Sequence, residues 1–312
     1  METIRSLNDY PSALKHCVVS IGKFDGLHLG HRRIIQRAVA LARNLNAPAV
    51  AFTFEPTPAK ILRPQKAPCP LCDPELRIKL MAQLGLDAVV LFPTTREFLE
   101  QSAHDFFLKT LVQKLDVIAL VEGHNFHFGR NHEGNELLTT LCREHNVTFE
   151  VVDFAQYAGQ IVSSSAIRAA LANGDVSLAH KLLGRPYALS GIVGHGDQRG
   201  RTLGYPTANL VETTTYLPGH GLYAALARLQ DGRTYAASVN LGGNPTFGVT
   251  ETKIESYLLD FHGDLYDQAL TLEFRYKLRD VVHFPSQEAF LQQLRHDVAR
   301  TRELLALELT TR

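Results

Sequence analysis

The 312-residue sequence lacks several features that would place it in a narrow class. It has no surplus of positive charge: Lys and Arg total 32, Asp and Glu total 32, and the formal net charge is +0. A chain built around nucleic acid carries a basic excess, so no nucleic-acid partner is expected. A few local cations are still enough to hold a single nucleotide. No apolar run approaches the ~18 residues needed to cross a bilayer, so no membrane partner is expected either. The N-terminal METIRSLNDY has no apolar core, which excludes a secretory signal and makes the cytoplasm the expected location. Cysteine is sparse: Cys17, Cys69, Cys72 and Cys142. Cys69 and Cys72 form a lone C-P-L-C, whereas a zinc site wants a second pair, so they read as reduced thiols in a cytosolic loop. The scattered His104, His132, His145, His220, His262, His283 and His296 show no metalloprotease spacing. There is no G-x-x-x-x-G-K-[ST], which argues against a P-loop nucleotide site. No internal repeat or low-complexity tract is found, and the sequence sets no oligomeric state.

What is present is ordinary in amount and informative in order. Hydrophobic residues make up 45% and charged residues 21%, typical of a globular chain. The length suits two domains. The first half alternates apolar runs with helical patterns. Strands are predicted over Cys17–Gly22, Ala49–Phe54, Asp87–Phe92, Val117–Val121 and Val147–Val152. Helices are predicted over His31–Leu45, Asp73–Leu84, Ala103–Lys114 and Glu136–Glu144. Such alternation builds a doubly wound parallel sheet, whose ligands lie outside the carboxyl ends of the strands. Gly22–His31, Phe54–Pro58 and Glu122–Gly129 follow strands and would share that rim. Ser163–Leu183 reads as two short helices broken at Asn173-Gly174. From Tyr187 the pattern changes to short alternating segments with Gly, Pro and Asn between them: Gly221–Arg228, Tyr235–Leu241, Glu255–Asp260 and Leu270–Phe274. These predict a small antiparallel β-barrel, closed by an amphipathic helix over Ser286–Leu307. The fold class is therefore α/β plus β, with domains at 1–184 and 185–312.

The densest chemistry lies in Gly22-Lys23-Phe24-Asp25-Gly26-Leu27-His28-Leu29-Gly30-His31. Glycines permit close backbone approach, and the N-terminus of the following helix attracts phosphate. His28 and His31 can donate hydrogen bonds to phosphate oxygens as charge develops. A single histidine here would read as a helix cap; H-x-G-H between a buried strand and an amphipathic helix does not.

This segment resembles the H-x-G-H signature of nucleotidyltransferases, and its G-x-F-D-G-x-H-x-G-H form resembles bacterial FAD synthetases. Phe54-Glu55-Pro56-Thr57-Pro58 resembles that family's F-x-P-x-P loop, which lies near the flavin. Val121–Gly129 resembles its G-x-[DN]-F-x-F-G motif. Val162–Arg168 resembles its I-S-S-T-x-I-R motif, with Val162 and Ser165 as conservative replacements. Lys23 departs from the family's usual small or apolar residue, and His124 precedes Asn125 where other polar residues are common. The resemblance implies a Rossmann-like nucleotidyltransferase domain with catalytic His28 and His31. It implies ATP on Gly22, Phe24, Asp25, Gly30, Ser164, Ser165 and Arg168. Flavin would lie on Phe54, Pro56, Pro58, Asn125 and Phe128. Adenylyl transfer needs no protein base, because the attacking FMN phosphate is already anionic.

In the second half, Gly191–Leu210 reads as a strand, a glycine-rich loop able to close on a ligand, and another strand. Thr207 and Asn209 alternate in an extended segment and offer hard oxygen donors suited to Mg²⁺. The stretch resembles the riboflavin kinase signature, G-x-V-x-H-G-x-x-x-G-R-x-x-G-x-P-T-A-N-L. That resemblance implies ATP binding by Gly196, Gly200, Arg201, Gly204, Pro206, Thr207 and Asn209, with Thr207 and Asn209 also holding Mg²⁺. Asn240–Phe247 resembles the family's N-[VIL]-G-x-x-P-T-F loop, and Glu255 matches its catalytic glutamate. A base is required there because the riboflavin 5′-hydroxyl is neutral.

From about Val18 to Leu307 the chain is identified as a member of the bifunctional riboflavin kinase/FAD synthetase family. The resemblance implies riboflavin, FMN and ATP as small-molecule partners, Mg²⁺ as cofactor, and FMN and FAD as products. An alternative retains the kinase but gives the N-terminal domain another or an impaired specificity. A non-catalytic flavin-binding protein is disfavoured, because His28, His31, Arg168, Thr207, Asn209 and Glu255 are all in place.

Overall fold

Strand residues that point alternately to opposite faces must be apolar throughout if helices cover both sides of a sheet. The inner strands of the first half obey this. In the computed structural model, which describes residues 1–196, 203–244 and 249–310, the elements run β1 (Glu2–Ile4), β2 (Cys17–Ile21), α1 (Leu29–Asn44), β3 (Ala49–Glu55), α2 (Pro58–Leu62), α3 (Pro74–Ala82), β4 (Ala88–Pro93), α4 (Arg96–Leu99), α5 (Ala103–Asp105), β5 (Val117–Gly123), α6 (Asn135–Glu144) and β6 (Thr148–Val152). A hairpin of β7 (Gln156–Tyr157) and β8 (Gln160–Ile161) precedes α7 (Ser164–Ala172). Every residue of β2 is buried. Val19, Phe52, Val90 and Leu120 pack on one face of the sheet. Val18, Ala51, Val89 and Ala119 pack on the other, against Ile35 and Ala38 of α1.

The sheet is parallel, in the order β1-β4-β3-β2-β5-β6. From β2 the chain builds outward through β3 and β4, then returns to the other side with β5 and β6. The reversal falls between β2 and β5, the place where such sheets bind ligands. Three local features differ from the sequence expectation. The edge strand β1 is three residues long, too short for a period to register, and pairs with β4. Helix α1 starts at Leu29, two residues before His31, because His28 Nδ1 accepts from the His31 amide and caps it. The helix predicted over Ala103–Lys114 is α-helical for one turn and π-helical over Phe106–Val112, burying Phe106, Phe107, Thr110 and Leu111.

By compactness the chain divides into Met1–Ser164 and Ser165–Arg312. In the second unit α7 ends at Asn173-Gly174, where Gly174 takes φ +72, and Asp175 caps α8 (Val176–Leu183) by accepting from the Leu178 amide. Then come β9 (Tyr187–Gly194), β10 (Ala208–Val211), β11 (Gly221–Leu229), β12 (Thr234–Asn244), β13 (Val249–Leu258), β14 (Ala269–Arg279) and α9 (Gln287–Thr310). The six strands close an antiparallel barrel in the order β10-β13-β12-β11-β14-β9. Leu305 of α9 packs on Ala224, Leu226 and Ala236 outside the barrel, and Asp297 accepts from Arg279 at 2.8 Å.

Candidate active sites

In the first unit the segment after β2 is a tight cradle. Phe24, Gly26 and Leu27 take positive φ of 46, 77 and 39, a conformation that reverses the chain between strand and helix. The Phe24 ring is buried beneath the loop and would be 3.1 Å from a Cβ at Gly22. A Cβ at Gly30 would lie 3.1 Å from the His28 ring. The absence of side chains at Gly22 and Gly30 therefore lets two aromatic rings pack flat against the backbone. His28 and His31 stack at 3.6 Å between centroids, and Phe24 meets His31 edge-on at 5.4 Å. Burial, with His28 and Lys23 nearby, holds the His31 pKa well below its usual value. The ring is therefore neutral at pH 7. Because His28 Nδ1 accepts from the His31 amide at 3.4 Å, a neutral His28 carries its proton on Nε2. Asp25 is fixed at both ends: Oδ1 accepts from the Leu71 amide at 2.8 Å, and its carbonyl accepts from Ser164 Oγ at 3.0 Å. Ser164 thus reaches the cradle from a position 139 residues away in sequence. Ser165 and Arg168 follow on α7, within the second compact unit.

A cavity of about 430 Å³ opens beside the cradle and is lined by Gly22, Phe24, His31, Phe54, Pro58, Asn125 and Phe128 together. These seven come from three sequence motifs that the switch between β2 and β5 brings to one rim. Phe98, Phe106 and Phe126 add aromatic surface. Phe128 stacks with Phe126 at 5.6 Å, and Phe54 lies 5.4 Å from Phe52. Pro56 follows a cis peptide bond in the same loop as Phe54 and Pro58. Lys23 also lines the cavity, whereas His124 turns away and meets Asp153 at 2.9 Å.

Two residues here were not assigned roles by motif reasoning. Arg77 of α3 is 3% exposed. It donates to the Lys23 carbonyl at 3.0 Å and the Phe54 carbonyl at 3.3 Å, and pairs with Glu55 at 2.8 Å. One guanidinium therefore ties the cradle to the F-x-P-x-P loop. In sequence it is one more arginine on a helix, and only its distant partners distinguish it. Replacing Arg77 with Met strips two carbonyls of their donor, at about 1–3 kcal/mol each. The expected result is a rise in the FMN KM of the FAD-forming reaction, partly rescued by Arg77→Lys, with FMN formation from riboflavin unchanged. Steady-state kinetics on both reactions check it. The second residue is Glu122, buried at the end of β5, with Oε1 accepting from the Ile21 amide at 2.6 Å.

In the second unit, strand register assembles the site. Asn209 of β10 and Asn240 of β12 both lie opposite Glu255 of β13. Directly opposed residues project to the same side with Cβ atoms about 5 Å apart. Asn209, Glu255 and Asn240 thus form one polar rung across three strands. Glu255 is half-buried. Thr207 precedes β10 and, with Pro206, lines a smaller cavity of about 100 Å³ alongside Ser256 and Tyr266. Tyr266 stacks on His195 at 4.2 Å. A Cβ at Gly196 would fall 2.2 Å from Asn209 Nδ2. Gly196→Ala must displace that amide, and misplacement of this size is expected to weaken ATP use by the kinase about ten-fold or more. Thermal stability should hardly change, because only a side-chain end has to move; kinase kinetics beside a melting curve test both points. Gly204 takes φ +82 in the turn before Thr207. Gly200 and Arg201, and Pro245-Thr246-Phe247 of the third motif, lie outside the described residues. Among the described residues no group of three or more His, Cys, Asp or Glu is placed to hold a metal. Cys17, Cys72 and Cys142 are buried and Cys69 is exposed, and none of the four is in a disulfide.

A switch-point cradle beside an aromatic cavity, followed by a six-stranded barrel bearing an Asn-Glu-Asn rung, defines a two-site nucleotide-dependent transferase. The FAD synthetase family model matches residues 10–166, and the riboflavin kinase family model matches residues 183–305. The bifunctional riboflavin kinase/FMN adenylyltransferase of Haemophilus influenzae is 35% identical over 300 residues, covering 96% of this chain and 97% of its own. Enzymes of the same description from Escherichia coli K12 (33% identity, 98% of this chain and 99% of its own) and Pseudomonas fluorescens (35%, 98% of each) are similar over the same span. The chain belongs to the bifunctional riboflavin kinase/FMN adenylyltransferase family. A Streptococcus pneumoniae crystal structure described as a macrolide-efflux protein superposes with a TM-score of 0.86 at 31% identity, covering 96% of this chain and 98% of that one. No helix among the described residues here is long and apolar enough to cross a membrane.

Proposed function

We propose that the two activities of this bifunctional enzyme divide along the chain, with FMN made by residues 185–312 and converted to FAD by residues 1–184. The convergence of the cradle and the two Phe-containing motifs on one cavity supports the second assignment most directly. In the kinase, Glu255 takes the proton from the riboflavin 5′-hydroxyl as that oxygen attacks the γ-phosphorus of ATP. Asn209 and Thr207 hold the nucleotide, with Gly196, Gly204 and Pro206 shaping the loop around it, and the family motif assigns Gly200 and Arg201 to ATP as well. In the adenylyltransferase, an FMN phosphate oxygen attacks the α-phosphorus of ATP and pyrophosphate leaves. His28 and His31 donate to the phosphate oxygens. Ser164, Ser165 and Arg168 bind the ATP phosphates, while Gly22, Phe24, Asp25 and Gly30 form the backbone cradle. Phe54, Pro56, Pro58, Asn125 and Phe128 receive the flavin.

The residues present fit a magnesium ion. A hydroxyl and an amide oxygen are hard donors, the Asn209 amide lies opposite Glu255 in the strand register, and Mg²⁺ on ATP takes most of its ligands from phosphate and water. Thr207 and Asn209 would hold it, and it would offset charge on the ATP phosphates. Riboflavin, FMN and ATP are the small-molecule partners, and the expected place of work is the cytoplasm, where ATP is abundant.

The test is a time course of the purified chain with riboflavin, ATP and Mg²⁺, separating the three flavins by chromatography. FMN that rises and then passes into FAD supports both assignments. FMN accumulating without FAD would remove the proposed role of residues 1–184.

A further inference from the structure

The cavity of the first unit contains an acid that the scheme above leaves unused. Glu122 lies at the carboxyl end of β5, next to the switch point, and is 2% exposed. Its Oε1 accepts from the amide of Ile21, the residue immediately before the Gly22 cradle, at 2.6 Å. No Lys, Arg or His among the described residues pairs with it. A buried carboxyl without a cation favours its neutral form, and burial here pushes the pKa well above the usual carboxylate range. In that neutral form, with Oε1 engaged as an acceptor, the proton belongs on the other oxygen, for which no protein acceptor is found among the described residues. Glu122 lines the same cavity as Gly22 and Lys23. The titratable and charged groups facing that cavity are Lys23, His31, His127, Arg130 and His132. Lys23 and Arg130 line the cavity and suit a phosphate; a carboxylate facing a bound phosphate would repel it, whereas a neutral acid can donate to it.

We propose that Glu122 binds substrate in the adenylyl-transfer step, its carboxylic acid donating a hydrogen bond to a phosphate oxygen seated over the Gly22 cradle. The inference rests on the adenylyltransferase reading of this unit. No bond to the carboxyl forms or breaks; the proton stays on Glu122. The sign of the pH dependence follows. The neutral acid binds, and the carboxylate, formed as pH rises through the elevated pKa, repels the phosphate. FAD formation therefore falls on the alkaline side.

Three forms of the full chain test this: wild type, Glu122→Gln and Glu122→Val. FAD formation from supplied FMN is measured across pH, and FMN formation from riboflavin serves as the folding control. Gln keeps both the acceptor for Ile21 and a donor, and cannot ionise. It should retain activity within about three-fold at pH 7 and lose the alkaline fall. Val removes the donor and should lower kcat/KM for FMN about ten- to hundred-fold, the worth of a hydrogen bond to a charged group. Wild-type activity in Glu122→Val, equal impairment of the two variants, or superimposable pH profiles for wild type and Glu122→Gln would each overturn the proposal. A wild-type chain that makes no FAD would instead bring down the adenylyltransferase reading itself.

Discussion

Glu255→Gln is expected to lower FMN formation by about 10²–10⁴-fold, the usual contribution of a positioned general base. Gln has the shape of Glu and can keep contacts along the Asn209–Glu255–Asn240 rung, but it cannot take the proton of a neutral hydroxyl. The barrel should therefore stay closed while its chemistry stops. Conversion of supplied FMN to FAD should continue at the wild-type rate, because that reaction is assigned to other residues and its attacking group is already an anion. Chromatography of flavins from parallel incubations with riboflavin and with FMN reads both outcomes. Loss of both reactions in a folded variant would sink the two-site assignment, and an unaffected kinase would remove Glu255 from the mechanism.

His28→Ala should give the mirror image: FAD formation down by about 10²–10³-fold, the usual cost of deleting a preorganised donor to developing charge, with FMN formation intact. The substitution also removes the N-cap of α1, worth about 1 kcal/mol. His28→Asn separates the two effects, because Asn caps well but does not place an Nε2–H donor in the cradle. It should recover the melting temperature and remain inactive. If instead it recovers activity, His28 is a cap and not a donor. The stacked His31 adds a pH effect. Its folded pKa is depressed, chiefly by burial and further by His28 and Lys23. Above about pH 6.5 neither folded nor unfolded chain binds this proton; below it the unfolded chain takes up a proton that the folded one refuses. The contribution is therefore a loss of stability in the first unit as pH falls, opposite in direction to the alkaline loss of activity expected from Glu122.

The contiguous features of both sites were legible in the sequence. H-x-G-H after an apolar strand, F-x-P-x-P after the next, and N-F-x-F-G after a third each carry their chemistry within ten residues. The alternation of short apolar runs with helical 3.6 periodicity places them on one rim of a parallel sheet. The antiparallel barrel was legible from its short alternating segments, although β12, β13 and β14 run beyond the apolar cores that announced them, because strand pairing continues through residues with no pattern. The beginning of α1 at Leu29 was not legible from apolar periodicity, since its first turn, Leu29-Gly30-His31, is fixed by a side-chain cap.

Other properties depend on partners far apart in the chain. Arg77 reads as an ordinary helix arginine until its contacts with Lys23 and Phe54, 54 and 23 residues away, make it the tie between two loops. Glu122 reads as one polar residue in a strand end until burial pushes its carboxyl pKa up and the Ile21 amide, 101 residues away, engages one of its oxygens. Glu255 is a lone strand glutamate until register sets it between Asn209 and Asn240. The sequence by itself determined which functional groups are available and which loops carry them, because those follow from residue type and local periodicity. Only the tertiary structure decided which groups are charged, which are held, and which face one another, because desolvation and cross-strand pairing arise only once distant segments exclude water together.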